Sequence, residues 1–367
     1  MVLNENRTLK GFNVYVLGIP LSIGRNANAF IGKTAIGKFY FFPKPDCIFQ
    51  FCCSLRIAYF HKNKNSFYPM WEDVLRYFET LEQRPVERMA FIVGGLLFFW
   101  ILEGAIPLLE PKYKQTKTRH AMVNFYFTAI HLVIQTGIAV LIVLLADWCQ
   151  KADFGLAQWM DLGVVGTIIL AFFVYDFFIG WLAHFVEHKS FTLWRFHIVH
   201  HADNNVDATT GLRHHPVESI IRGSFFLLAT VVAGAPIYTL MIYQTFLVFF
   251  TAFTHANISL PPKLDKTLSY FFISPNMHKV HHHWVQPYTD SNYGAVLSIW
   301  DRLFGTYRQL APLEIRYGLD RYYPNEQDEN FWQLLKSPFL VRQTSDGKRE
   351  TEDTTKEGQP SRPKASV

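Results

Sequence analysis

Cysteine is scarce in this chain. Only four of its 367 residues are cysteine, and Cys47, Cys52, Cys53 and Cys149 form neither a CxxC pair nor a zinc spacing. This argues against a disulfide framework and against a thiolate metal site. Charge is modest too: the formal net charge is +5, the basic residues sit mostly in connectors and tails, and none are interleaved with aromatics in the manner of a nucleic-acid motif. The aromatic, Cys-rich patch from Phe49 to Cys53 is too short and too late to be a secretory signal peptide.

Apolar residues are abundant. Half of the chain is hydrophobic and 34 residues are Phe, arranged in long blocks rather than amphipathic periods, as in a polytopic membrane protein. Met89 to Leu109, Ala121 to Ala146 and Leu162 to Ala183 read as three spans. Ile220 to Thr254 is too long for one crossing, since a helix rises about 1.5 Å per residue and the hydrocarbon core is about 30 Å thick. Gly234-Ala235-Pro236 breaks that run near its middle, so it reads as a tight hairpin of two spans. The connector Lys112 to His120, KYKQTKTRH, is strongly basic and is expected to face the cytoplasm.

The same pattern divides the chain into four regions. Residues 1–66 show no sustained period and read either as a weakly ordered extension, with Met70 opening the protein proper, or as a membrane-associated arm. Residues 67–160 carry two spans, 161–311 hold the histidines, and 312–367 form a polar region expected to be disordered from about 342.

Three histidine clusters organise the whole. His184 with His188, His197 with His200 and His201, and His278 with His281 and His282 follow the spacings HxxxH, HxxHH and HxxHH. On a helix such positions share one arc, so each cluster is expected to aim its imidazoles at one point. The hairpin returns the third cluster to the membrane side of the first two. That many imidazoles without cysteine suit a borderline metal such as iron, zinc or copper, and they exceed the coordination of one ion, so two metals are the natural count. If the metal is iron, two adjacent reducible ions can bind dioxygen and generate an oxidant able to attack an unactivated C–H bond.

These boxes, with the strings HIVHHADNNVDATTGLRHHPVE, THANISLP and HKVHHHWVQPYTDSNYGAVLSIWDRLFGTY, resemble the fatty acid hydroxylase and sterol desaturase superfamily of membrane di-iron enzymes. The resemblance covers about Leu162 to Tyr307 and is greatest to the bacterial-type sterol desaturase group and to alkylglycerol monooxygenase. It implies an all-α integral membrane protein of about five spans with a cytoplasmic helical cap, two iron ions, dioxygen as co-substrate, and a lipid or sterol substrate hydroxylated or desaturated at a C–H bond. It also implies a separate electron donor, of cytochrome b5 type or a ferredoxin with its reductase. The host membrane would be a bacterial inner membrane or the endoplasmic reticulum.

The ligand set implied is His184, His188, His197, His200, His201, His278, His281 and His282, joined by His255 and by His215 of the string RHHP. No second histidine lies one turn from His255, which departs from the ten-histidine version of the pattern. His214 and His283 are neighbours expected to orient other groups, and His131 is expected to be a packed or hydrogen-bonded histidine within a span. Asp176 and Glu187 could each hold an imidazole tautomer by accepting its remaining N–H; the plainer reading of Asp176 is that it caps or pairs within the bundle. Glu187 is expected to face water, and the loop residues Asp203, Asp207 and Asn292 to be solvated. Trp300-Asp301-Arg302 is expected to seal the cap by packing and an ion pair, and Phe172, Phe173 and Tyr175 to pack the bundle. A histidine-rich membrane metal transporter is the alternative; its site would lie at the bilayer midplane, whereas these clusters lie at span ends.

Overall fold

The computed structural model describes residues 13–16, 19–22, 73, 76–78, 80, 84–110, 117–319, 330–343 and 349–351. The calls made on the rest of 1–66, on 111–116 of the basic connector and on the tail after 351 lie outside these residues. The chain divides into two compact units, Met1–Val74 and Leu75–Val367. In the first, β1 (Asn13–Val16) and β2 (Ile19–Ser22) form an antiparallel hairpin, a regular element where no periodicity was expected.

The second unit is helical. Among the described residues, five helices are long and apolar enough to cross a membrane: α1 (Pro85–Ala105), α2 (Lys117–Lys151), the segment from α4 (Gly163–Tyr175) to α5 (Ala183–Lys189), α7 (Pro216–Ala233) and α8 (Ile237–His255). A short α3 (Leu156–Trp159) precedes α4. The polarity of this bundle is inverted relative to a water-soluble domain. Val133 is 75% exposed and Ile101 72%, while Glu103, His120, Asn124, Asp176, Glu187 and Glu218 are all buried. Apolar side chains facing outward and polar ones inward are stable only where the surroundings are hydrocarbon.

The expected hairpin is present. Pro216 opens α7, Gly234 ends it at φ 58° in the left-handed region, and Pro236 precedes α8. Glycine is required at this turn for a second reason: a Cβ on Gly234 would lie 2.3 Å from the carbonyl oxygen of Phe154, so any side chain would push the α2–α4 connection away.

Between α4 and α5 the helix widens into π turns over Asp176–Leu182. A π segment carries an extra residue per turn and alters the side-chain register beyond it. Asp176 secures the segment: its Oδ1 accepts from the Tyr243 hydroxyl at 3.2 Å, and its Oδ2 from Trp300 Nε1 at 2.9 Å and Leu297 N–H at 3.1 Å. Tyr175 is buried and Phe172 meets Tyr243 edge to face, so both pack the bundle as expected; Phe173 is exposed.

The cap consists of α6 (Phe191–His201), α9 (Pro262–Leu268), α10 (Pro275–His281), α11 (Ile299–Leu303) and α12 (Phe331–Lys336). Asp301 holds it together by accepting from Trp181 Nε1, the N–H groups of Tyr293 and Gly294, and the Thr306 hydroxyl. Arg302 does not complete an ion pair with it. Its guanidinium instead donates to the Ser269 carbonyl and lies over the rings of Tyr270 and Tyr307. Beyond the cap, β3 (Val341–Gln343) and β4 (Arg349–Thr351) pair antiparallel, inside the stretch expected to lack structure.

Candidate metal centre

Among the described residues, nine buried histidines form two groups, and in each group one ring nitrogen from every member lies within 4.8 Å of the others. The first holds His184, His188, His197, His201 and His281; the second holds His200, His255, His278 and His282. The expectation that each box aims at one point is corrected here. Positions i and i+4 differ by about 40° around a helix, but i+3 and i+4 differ by about 100°. In each HxxHH box the outer pair therefore faces one group and the middle histidine the other. The box on α6 gives His197 and His201 to the first group and His200 to the second. The box on α10 gives His278 and His282 to the second and His281 to the first.

Tautomers follow from hydrogen-bond partners that can only accept. The Nδ1 atoms of His184, His255 and His281 lie 2.8, 2.8 and 2.6 Å from the carbonyl oxygens of Tyr293, Thr251 and Ser291. That of His197 lies 2.9 Å from a carboxylate oxygen of Glu218. Each Nδ1 therefore carries the proton and donates, leaving Nε2 as a bare lone pair. Yet these lone pairs converge: His184 Nε2 sits 3.1 Å from His197 Nε2, and His255 Nε2 sits 3.2 Å from His200 Nε2 and 2.9 Å from His278 Nε2. Both ring nitrogens of His201 and His282, and Nε2 of His281, are buried without a hydrogen-bond partner. Burial pushes His197 down to about 4, and it holds His200, His201, His278, His281 and His282 well below the usual imidazole range. Neutral, unpartnered and convergent imidazoles are the donor set of a metal ion, and the residues fit that group.

The surroundings of the two groups differ. Behind the first lies a buried carboxylate network. Glu218 Oε1 accepts from His197, from His214 Nδ1 at 2.8 Å and from Arg222 Nε at 3.0 Å, and Arg222 also pairs with Glu187 at 2.7 Å. Glu187 is wholly buried, which corrects its expected place in water: Arg222, reaching across from α7, supplies the compensating charge. Asp290 accepts from His188 and Lys189.

Behind the second group stands Lys279, wholly buried, whose Nζ donates to the carbonyls of Thr254 and Ala256 at the end of α8. It thereby ties the helix bearing His255 to the one bearing His278 and His282. Burial pushes its ammonium down to about 7, against the pull of Glu103, Asp265 and Asp207.

The remaining sequence candidates fall around these groups. His215 is not brought to either one. It caps the N-terminus of α7, its Nδ1 accepting from Val217 N–H at 3.1 Å, and its Nε2 lies 3.2 Å from the Leu335 carbonyl. His214 stacks on His200. His283 accepts from Arg316 N–H, and His131 pairs with the Ser219 hydroxyl, as a packed histidine should.

The loop residues expected in solvent are buried. Asp203 meets His120 at 3.3 Å and Arg213 at 3.4 Å; burial opposes its ionisation, but these cations outweigh it and hold the carboxyl well below the usual range. Asp207 accepts from the Thr209 N–H and hydroxyl. Asn292, at φ 51°, spans the carbonyls of Met277 and Arg308. Sequence reasoning missed Lys279, Glu218, Arg222 and His120, because each meets a partner remote in the chain: Thr254 and Ala256, His197, Glu187 and Asp203 respectively.

A cavity of about 680 Å³ adjoins the centre. His184, His200, His255 and His278 line it, and so do residues as distant as Glu87 and Arg88 at the opposite end of α1. Its walls are mostly apolar, with Ile179 and Gly180 of the π segment among them. Such a volume is typical of a small-molecule site, and its length suits an elongated ligand.

Residues 168–306 match the family model of fatty acid hydroxylase. The chain is 28% identical over 144 residues to ornithine lipid hydroxylase OlsE of Rhizobium tropici, covering 39% of this chain and 41% of that protein. It is 30% identical over 139 residues to alkylglycerol monooxygenase of Xenopus tropicalis, covering 38% of this chain and 30% of that one. It is 25% identical over 243 residues to a putative methylsterol monooxygenase of Dictyostelium discoideum, covering 65% and 82%. The matched stretches thus span less than half of the first two relatives. No solved structure matches the chain.

Proposed function

We propose that this chain, whose residues 168–306 form a fatty acid hydroxylase domain, is a membrane oxygenase that uses dioxygen to hydroxylate a C–H bond of a lipid. The carrying observation is the pair of buried histidine groups, nine convergent imidazoles in all, four of which line an apolar cavity. The names of the relatives, which act on lipids and sterols, support the same substrate class.

His184, His188, His197, His201 and His281 would hold one iron ion, and His200, His255, His278 and His282 the other. When bound, such a pair supplies the reduction of dioxygen to an oxidant strong enough for an unactivated C–H bond. The chain's own residues do the rest. The carbonyls of Tyr293, Thr251 and Ser291 and the Glu218 carboxylate keep the Nδ1 protons in place and the Nε2 lone pairs aimed inward. Every histidine of both groups is buried, which excludes bulk water. The apolar wall positions the chain to be oxidised, and hydroxylation rather than desaturation is the primary outcome.

Both groups lie at the end of the bundle where the basic connector enters α2, since His120 pairs with Asp203 and Lys117 with Glu103 at 2.5 Å. By the positive-inside tendency that end faces the cytoplasm. Electrons then come from a separate cytosolic-side donor, of cytochrome b5 type or a ferredoxin with its reductase. The test is untargeted mass spectrometry of total lipids from cells expressing the chain, compared with the His200→Ala, His281→Ala double variant, which removes one imidazole from each group. A lipid that gains one oxygen only with the intact chain supports the proposal and identifies the substrate. Identical lipid profiles, with iron and a compatible donor supplied, would refute it.

A further inference from the structure

The cavity wall contains one polar side chain whose hydrogen-bonding capacity is unused among the described residues. Gln244, on α8, lines the cavity within the segment long and apolar enough to span the bilayer. The other polar groups near it are engaged. Gln135 Nε2 donates to the Ser219 carbonyl at 3.2 Å, the Thr245 hydroxyl to the Met241 carbonyl at 2.9 Å, and the Thr251 hydroxyl to the Leu247 carbonyl at 2.7 Å. A primary amide offers two N–H donors and a carbonyl acceptor, and leaving them unmet in an apolar surrounding costs on the order of 1–3 kcal/mol. In hydrocarbon, where water does not offset that cost, such a group is expected to have a partner.

Position makes the partner informative. From Gln244 to His255 the helix rises about 16 Å, so the amide faces the cavity well away from the histidines.

Resting on the oxygenase reading above, we propose that Gln244 determines substrate specificity by hydrogen-bonding a hydroxyl, ester or amide group of the lipid. The carbon oxidised would then lie far along the chain from that group rather than next to it. The substrate class is a long-chain lipid with a neutral hydrogen-bonding group seated in mid-membrane, not a bare hydrocarbon.

The test compares 1-octadecanol with octadecane, two probes that differ by one hydroxyl, binding to the iron-loaded full-length chain in phosphatidylcholine nanodiscs. Wild type should bind the alcohol about tenfold more tightly, the effect of one hydrogen bond of ordinary strength. Gln244→Met, close in size but without donors, should bind both equally while keeping its full iron content. In turnover with the alcohol, the variant should raise KM with little change in kcat and spread oxygen over more carbon positions. Equal binding of the two probes by wild type, a preference retained in Gln244→Met, or oxygen placed beside the hydroxyl would each overturn the assignment. Because binding is read without turnover, an inactive wild type that still prefers the alcohol would count against the oxygenase reading and for the role of Gln244.

Discussion

The two histidine groups share the boxes on α6 and α10 but differ in their third helix, α5 for the first and α8 for the second, and in closure. The first has five imidazoles and is backed by Glu218, Glu187, Arg222 and Asp290; only His184 of its five lines the cavity. The second has four, is braced by Lys279 rather than by a carboxylate, and puts His200, His255 and His278 on the cavity wall. Metal sites that support structure or charge tend to be closed by protein ligands, whereas sites that do chemistry keep a position open. Under the proposed oxygenase function, this difference would put substrate oxidation on the four-histidine side and charge support on the five-histidine side.

That asymmetry should be visible in ligand deletions. His278→Ala removes one of four imidazoles from the open group, and turnover should fall by roughly a thousandfold, about 4 kcal/mol of barrier. His188→Ala removes one of five from the closed group and should fall less. Steady-state turnover of the purified variants checks this, and equal losses would erase the proposed division of labour.

The next effect in size concerns the bracing. Glu218→Gln keeps an acceptor for His197 but removes the charge, so metal affinity of the five-histidine group should drop by about 10- to 100-fold, the usual cost of altering a ligand's outer partner. Competition with a chelator would show two release phases, of which only one is accelerated.

On the other side, Lys279→Met leaves the carbonyls of Thr254 and Ala256 without their donor. Stability should fall by about 1–3 kcal/mol, read as a lower midpoint of thermal unfolding in detergent. The metal released early should be that of the four-histidine group.

The smallest effect separates ligand from cap. His215→Ala should cost about 1 kcal/mol through loss of an N-cap and leave metal content unchanged. A loss of metal in this variant would return His215 to the ligand set.

Much of this organisation was legible in the chain. Long apolar blocks and the Gly234-Ala235-Pro236 break gave the spans and the hairpin, because span length and turn chemistry are local properties. Spacing marked the histidine boxes for the same reason. What spacing could not give was the exchange of middle histidines between groups, which depends on how α6 and α10 face each other. Nor could it place Glu187, Asp203 and Asn292 indoors: each is buried because a residue from a separate element, Arg222, His120 or Met277, meets it there. The π turns over Asp176–Leu182 left no sequence signal, since Asp176 secures them through Tyr243, Trp300 and Leu297, all of them remote in the chain.

The most direct test is the iron content per chain of protein purified from iron-supplied cells, measured by plasma mass spectrometry for wild type and for His278→Ala. Two filled groups predict two ions per wild-type chain and one in the variant. A wild-type value of one or none, or a variant indistinguishable from wild type, would contradict the two-site account.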